Sequence, residues 1–422
     1  MIEIIKADYG SKLVLLKFKN NVMNSNQKAL IKATIPILQS SGEALTDYFY
    51  KRMFKHNPEL KSVFNMGNQA NGRQKQALAG AVLAYAQHID NPAVLIDALK
   101  GIGGKHVSLN IQPQDYAIVG THLVASIKEV LGEETATPDL LDAWRLAYSE
   151  LAEIMIGIEA EFYLNNENKA GGWKGWRSFT IKAIVVESKE IKSFYLFPTD
   201  GKEIASYQAG QYLSVQVFVE QLGLLQPRQY SLSSAYNSRY YRISVKKETA
   251  LETHPEGMVS NALHKMNVGN TVNVSAPSGN FSLQNADVPI VLISGGVGAT
   301  PLLSMLETNQ KSKKNKTVWI HGCRNASVHA FKEAIAGMEE ESDWLETFLF
   351  NEDMEQNGEE GIIRGRVDLE KCKEAILLKD AHYYLCGPAP FIKAHYESLV
   401  GFNIDRSNIF YEEFGPQSVH LN

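Results

Sequence analysis

Three cysteines in 422 residues, Cys323, Cys372 and Cys386, are too few and too scattered to staple a fold. No two of them stand in the Cys-x-x-Cys spacing of a metal or redox site, so a reducing compartment is expected. No apolar run approaches the roughly 18 residues that cross a bilayer, and the N-terminus lacks a basic stretch followed by a long apolar core. A cytoplasmic location without a membrane span is therefore expected. Positive charge is not in surplus either: 42 Lys and Arg against 47 Asp and Glu leave a net charge of −5, which speaks against a nucleic-acid partner. The densest basic run, Lys311, Lys313, Lys314 and Lys316, ends a helical pattern just before a strand and reads as a solvated loop. No internal repeat is visible.

What is present is the composition of a globular chain, 44% hydrophobic and 21% charged. At about 150 residues per domain the length predicts three domains, and the chain changes style at the expected places. Residues 1–22 contain one short strand-like piece, 12–18, and form a leader ahead of the helical pattern that begins after Met23-Asn24-Ser25. Residues 23–165 carry apolar side chains at helical spacing and predict an all-α domain. A polar stretch, 166–172, reads as the linker. In 173–285 short alternating runs (179–186, 211–219, 241–245) separated by turn residues predict a small antiparallel β-barrel. In 286–422 buried-strand runs at 290–293, 317–320, 347–350, 382–385 and 408–411 alternate with helical stretches, predicting an α/β doubly wound parallel sheet.

Chemistry enters with Ser294-Gly-Gly-Val-Gly-Ala-Thr-Pro301, which follows a buried strand and opens a helix. Gly295, Gly296 and Gly298 strip the turn of side chains, so free N–H groups and the positive end of the helix can meet a phosphate. Pro301 is tolerated in the first turn, where its missing N–H would be unpaired anyway. The spacing is not G-x-G-x-x-G, and such a turn also serves as a plain connection. In the helical third, Leu45, Phe49 and Met53 form one stripe with Tyr50 and Phe54 on its shoulder. Gln74 and Leu78 stand one turn apart, either as surface and core residues or facing one cavity together. His106 follows two glycines. The helix opening at Pro113 turns Tyr116 inward, and the helix after Pro138 carries the stripe Trp144, Tyr148, Leu151, Met155, Glu159, Phe162. A carboxylate on such a stripe is costly unless hydrogen-bonded. A local cap or salt bridge would satisfy Glu159, and so would a buried His–Tyr–Glu network.

The order of Arg228-Gln229-Tyr230-Ser231 in a barrel strand, Gly257-Met-Val259-Ser260 before a helix, the glycine-rich turn, Cys386-Gly387-Pro388 after the fourth sheet strand, and Phe414 resembles FAD and NAD(P) modules of the ferredoxin reductase type. That resemblance implies Tyr230 against the isoalloxazine, Ser231 near its reactive edge and Arg228 on the FAD phosphate, with Gln229 in the same strand and Gln211 and Tyr212 lining the flavin pocket. It also implies Gly257, Val259 and Ser260 cradling the pyrophosphate, with Gly295, Gly296, Gly298 and Thr300 on the nicotinamide nucleotide. Cys386, Gly387 and Pro388 would lie beside the nicotinamide, and Phe414 would cover the flavin. With the helical third included, the sequence from about residue 23 to 416 is similar to the flavohaemoglobins, a globin joined to such a reductase. The family pattern implies His106 as the haem-iron ligand, Tyr116 and Glu159 behind it, and Phe64 packed on the haem. It places Tyr50, Gln74 and Leu78 on the oxygen side, and Lys105 and Glu412 between haem and flavin. Glu413 stands where some members have cysteine. The implied cofactors are haem b, FAD and NAD(P)H, and the implied reaction is a nitric oxide dioxygenation to nitrate with O2 and nitric oxide as small-molecule partners and no protein partner. An oxygen-binding or sensing globin with a haem-maintaining reductase is the alternative. Arg324, just after the second sheet strand, leaves the choice between NADH and NADPH open.

Overall fold

The structure, a computed structural model, describes residues 23–70, 72–250, 256–312, 315–353 and 361–414. The leader 1–22 with its strand-like piece, Asn71, Lys313, Lys314 and the chain after Phe414 lie outside the described residues.

The first third is helical as its periodicity predicts: α1 (Ser25–Ala33), α2 (Ile35–His56), α3 (Met66–Ala70), α4 (Arg73–Gln87), α5 (Ile96–Ser108), α6 (Pro113–Thr135) and α7 (Pro138–Asn168). Asn24 and Gln27 form a reciprocal cap at the start of α1, each side chain accepting the other's backbone N–H at 2.9 Å. The α2 stripe, Leu45, Phe49, Tyr50 and Met53, enters a core shared with Leu123 and Ile127 of α6 and Trp144 of α7. The helix α7 runs three residues beyond the start of the expected linker. Asn166, Glu167 and Asn168 are polar but do not break a helix; the turn comes at Gly171 and Gly172, where a Cβ on Gly172 would stand 1.9 Å from the Asn166 carbonyl oxygen.

The barrel follows, with β1 (Arg177–Val186), β2 (Ile191–Pro198), β3 (Tyr212–Val219), β4 (Leu224–Ser231), β5 (Tyr241–Lys246), α8 (Met258–Lys265) and β6 (Thr271–Val274). Its antiparallel order is β4-β3-β6-β1-β2-β5, and a bridge from Leu232 to Ile243 joins the two ends. Alternate residues, among them Phe179, Ile181, Phe194, Leu196, Leu213, Val215, Tyr241 and Ile243, fill the interior completely.

The last part contains β7 (Ile290–Gly295), α9 (Ala299–Lys311), β8 (Thr317–Cys323), α10 (Lys332–Glu340), β9 (Leu345–Asn351), β10 (Ile362–Arg364), α11 (Lys373–Ile376), β11 (His382–Gly387), α12 (Ala389–Gly401) and β12 (Ile409–Glu413). All pairings are parallel in the order β10-β9-β8-β7-β11-β12, so the winding reverses between β7 and β11. A doubly wound sheet opens its ligand crevice at that reversal, outside the carboxyl ends of the strands. The three-residue edge strand β10 is the one element here that the sequence pattern does not announce.

Candidate functional site

On α5, His106 is fixed by one ring nitrogen. Its Nδ1 lies 2.7 Å from Glu159 Oε1 and 3.0 Å from Tyr116 Oη, and Tyr116 Oη donates to the same carboxylate oxygen. Tyr148 Oη in turn donates to the Tyr116 carbonyl at 2.7 Å. Glu159, only 2% exposed, is thus satisfied by a His–Tyr–Glu network, one of the two arrangements its place on the apolar stripe allows. Burial and the neighbouring carboxylate push the Tyr116 phenol far up, so it stays a donor. The other nitrogen, Nε2, makes no hydrogen bond among the described residues, and the His106 side chain is one-third exposed.

Tyr50 is buried among Phe54 and Phe64, whose ring centroids lie 5.9 and 5.8 Å away. Desolvation pushes its phenol up, while Gln69, a residue that no spacing argument singled out, faces its hydroxyl. Gln69 Nε2 and Gln74 Oε1 are buried without hydrogen-bond partners among the described residues. Leu78 packs on the same core. Unpaired amide atoms in an aromatic pocket, together with an imidazole locked at Nδ1 and open at Nε2, fit a haem held through His106 Nε2.

The reductase side is equally specific. Strands β3 and β4 set Tyr212 opposite Ser231, Leu213 opposite Tyr230 and Val215 opposite Arg228. Burial pushes the Tyr212 and Tyr230 phenols up. Arg228 donates to the Pro227 carbonyl at 2.7 Å and has no carboxylate partner among the described residues; its guanidinium is pulled down to about 10 by desolvation. A desolvated cation without a counter-ion fits a phosphate. Gln229, on the opposite face of β4, is exposed. Gly257 caps α8, Ser260 Oγ donates to its carbonyl at 2.9 Å, and Val259 is buried beneath.

In the nucleotide crevice Gly296 adopts a positive φ of 55°, and Thr300 Oγ1 donates to the Val297 carbonyl at 3.0 Å. Gly298 passes so close to β11 that a Cβ would lie 2.2 Å from the Cys386 carbonyl oxygen. Gly295 and Gly387 both lie against the Phe391 ring, and Pro388 caps α12. Cys386 is buried, its thiol pushed well up, in a cross-sheet row with Ser294 of β7 and Glu412 of β12. Phe414 follows β12 and is exposed.

These parts meet at the end of α5. Burial pulls Lys105 down while Glu412 and Glu413 push it up, and the Glu412 carboxyl is pushed up to about 7 by burial, with Oε2 unpaired among the described residues. Ser214 Oγ of β3 donates to Ser108 Oγ at 3.0 Å, and Ser108 Oγ donates to the Lys105 carbonyl at 2.8 Å. Gln226 of β4, fully buried, donates to the Lys61 carbonyl at 2.6 Å and accepts from the Met66 N–H at 3.1 Å. Ser108, Ser214 and Gln226 carry no signal in the sequence, because each has its meaning only through a partner more than a hundred residues away.

Comparison with known proteins follows the same three parts. Residues 47–155 match the Globin family, 178–283 the Oxidoreductase FAD-binding domain and 292–397 the Oxidoreductase NAD-binding domain. Flavohemoproteins of Rhizobium meliloti and Bordetella pertussis are each 46% identical to the chain over 94% of its length, covering 99% and 100% of their own. The crystal structure of a flavohemoglobin from Malassezia yamatoensis with bound FAD and heme superposes with a TM-score of 0.81 at 27% identity, over 93% of this chain and 99% of that one. The FAD/NAD-binding domain of a nitric oxide dioxygenase from Vibrio cholerae superposes with a TM-score of 0.52 at 36% identity, over 57% of this chain and 99% of that one. With haem, FAD and NAD sites in that order, and relatives of one name matched nearly end to end, the chain belongs to the flavohemoprotein family.

Proposed function

We propose that this chain is a nitric oxide dioxygenase of the cytoplasm, drawing on NAD(P)H, with O2 and nitric oxide as its small-molecule partners and no protein partner needed. The observation that carries the reading is the docking of the His106 helix, through Lys105 and Ser108, onto the strands and the C-terminal segment expected to hold the flavin. Haem supplies an iron that takes up O2, and FAD converts the two-electron hydride of NAD(P)H into the single electrons that iron accepts.

The protein's own part is positional and electrostatic. His106 would offer Nε2 to the iron while Nδ1–H donates to Glu159 at 2.7 Å, a contact that orients the ring and strengthens it as a ligand. Tyr116 holds that carboxylate in place. Tyr50 keeps its proton because burial opposes ionisation, which leaves a phenol O–H as donor while Phe54 and Phe64 exclude water; Gln74 and Leu78 complete that side. Arg228 with Gly257, Val259 and Ser260 receives the FAD phosphates, and Tyr212, Tyr230 and Ser231 orient its ring. Gly295 to Thr300 would take the pyridine nucleotide, with Cys386, Gly387 and Pro388 placed to meet the nicotinamide and Phe414 to cover the flavin. Lys105 and Glu412 would lie between the two redox groups.

The test is stoichiometric. The purified chain, given nitric oxide and O2, should form nitrate and oxidise one NAD(P)H for every two nitric oxide molecules consumed, as a two-electron donor feeding a one-electron site requires. NAD(P)H oxidation that is indifferent to nitric oxide would instead support a globin whose reductase only keeps its iron reduced.

A further inference from the structure

Arg324 is the first residue after β8, at the carboxyl edge of the sheet and one strand along from the glycine-rich turn. In a doubly wound dinucleotide site the end of that strand reads the adenosine ribose: an acid there suits a 2′-hydroxyl, a cation a 2′-phosphate. One nitrogen of the Arg324 guanidinium is already engaged. Its guanidinium Nη2 donates to Glu190 Oε1, a carboxylate on the β1–β2 turn of the barrel. The turn is anchored on both sides, since Lys189 N–H donates to the Ser327 carbonyl at 2.9 Å and Lys247 N–H to the Glu190 carbonyl at 2.7 Å. The backbone of Arg324 is fixed as well, its carbonyl accepting from the Asp353 N–H at 2.7 Å. The Arg324 side chain is 58% exposed, whereas the Glu190 side chain is 23% exposed. A surface ion pair contributes little stability, so its energetic weight lies in what it does to the charge offered to a ligand.

We propose that the Glu190–Arg324 pair selects the pyridine nucleotide: Glu190, reaching over from the barrel, occupies the guanidinium that would take a 2′-phosphate, so the chain prefers NADH and keeps a latent NADPH site. This rests on the pyridine nucleotide lying at the glycine-rich turn. A dianionic phosphate arriving at Arg324 must break the pair and stand beside the Glu190 carboxylate, while a 2′-hydroxyl meets no such opposition. The selecting carboxylate and the cation it restrains come from different domains, so the sequence shows Arg324 without the carboxylate that restrains it.

The experiment uses the full chain loaded with haem and FAD, and titrates NAD+ and NADP+ by calorimetry. Wild type should bind NAD+ more tightly. Glu190→Gln keeps the shape and removes the charge; it should tighten NADP+ about five- to tenfold, or about 1–1.4 kcal/mol, with NAD+ changed less than about twofold. Glu190→Gln combined with Arg324→Leu should lose that gain. FAD content and melting temperature, measured alongside, should match wild type because both side chains lie at the surface. Equal changes for the two nucleotides, no change for either, or a wild type that already prefers NADP+ would overturn the proposal. A wild type that binds neither nucleotide would overturn the crevice assignment itself.

Discussion

A phenol packed between two phenylalanines gains nothing from its hydroxyl unless something polar comes to meet it, and Tyr50 is such a phenol. Hydrogen bonds to a charged or strongly polarised acceptor contribute roughly 1–3 kcal/mol. At 1.4 kcal/mol per decade, Tyr50→Phe should therefore release O2 about five- to 150-fold faster. CO, less polar when bound, should leave at nearly the wild-type rate, and the ring that remains keeps haem content unchanged; equal small changes for both gases in stopped-flow would remove Tyr50 from the ligand pocket. Glu159→Gln keeps volume and hydrogen bonding at the His106 ring but deletes the charge. Haem should still bind, with the iron–histidine stretching frequency lowered in the resonance Raman spectrum of the ferrous protein, and an unchanged frequency would show that the carboxylate does not tune the ligand. At this scale the sequence speaks where a residue breaks its own pattern, as Glu159 does on an apolar stripe. It is silent for Gln69, an amide on a five-residue helix whose one informative neighbour, Tyr50, comes from another helix.

Elements were legible in proportion to their periodicity. The long helices and the five strands 290–295, 317–323, 345–351, 382–387 and 409–413 follow runs that any hydropathy pattern displays, whereas β10 has three residues and no period to show. The end of α7 was misplaced because polar residues suggest a linker while only Gly171 and Gly172 force the chain to turn. The turn between β7 and α9 is set by contact as well as by composition. Gly298→Ala must push Cβ away from the Cys386 carbonyl, 2.2 Å off, and so shift the turn relative to β11. The variant should retain FAD, since that site lies in the barrel, yet reduce it with NADH about 100-fold more slowly, as a displacement near 1 Å can cost. Wild-type flavin reduction in rapid mixing would mean that the nucleotide does not use this turn.

At the scale of the molecule, the barrel and the doubly wound sheet hold together without the globin: Arg242 pairs with Glu307 at 2.7 Å, and Ser304 Oγ donates to the Ser234 carbonyl at 2.7 Å. Residues 173–422 expressed alone should therefore bind FAD and reduce ferricyanide with NAD(P)H without consuming nitric oxide, and a soluble fragment devoid of flavin would contradict this. Acid should unfold that fragment readily. Burial pulls the His321 imidazole down to about 3 and His395 to about 4. Between those values and the ordinary 6.5 the unfolded chain binds protons the folded one refuses, so stability is full above about pH 6.5 and declines below it. His321→Gln should flatten the fall in melting temperature between pH 7 and 5, and an unaltered slope would clear His321 of that role. The domain order was readable because each third has its own period, but the joints were not, since they consist of single polar contacts. One of these joints gives the molecule a gauge. Gln226, Arg228 and Tyr230 alternate onto one face of β4, and the first grips the globin at Lys61 and Met66 while the other two are the residues proposed to hold the flavin. Gln226 and Tyr230 are four residues apart, about 13 Å along a strand. Adding or removing one residue between them would alter that span by about 3.3 Å and turn one of the two side chains to the opposite face. The strand thus works as a ruler, holding the globin contact and the proposed flavin contacts at one calibrated interval.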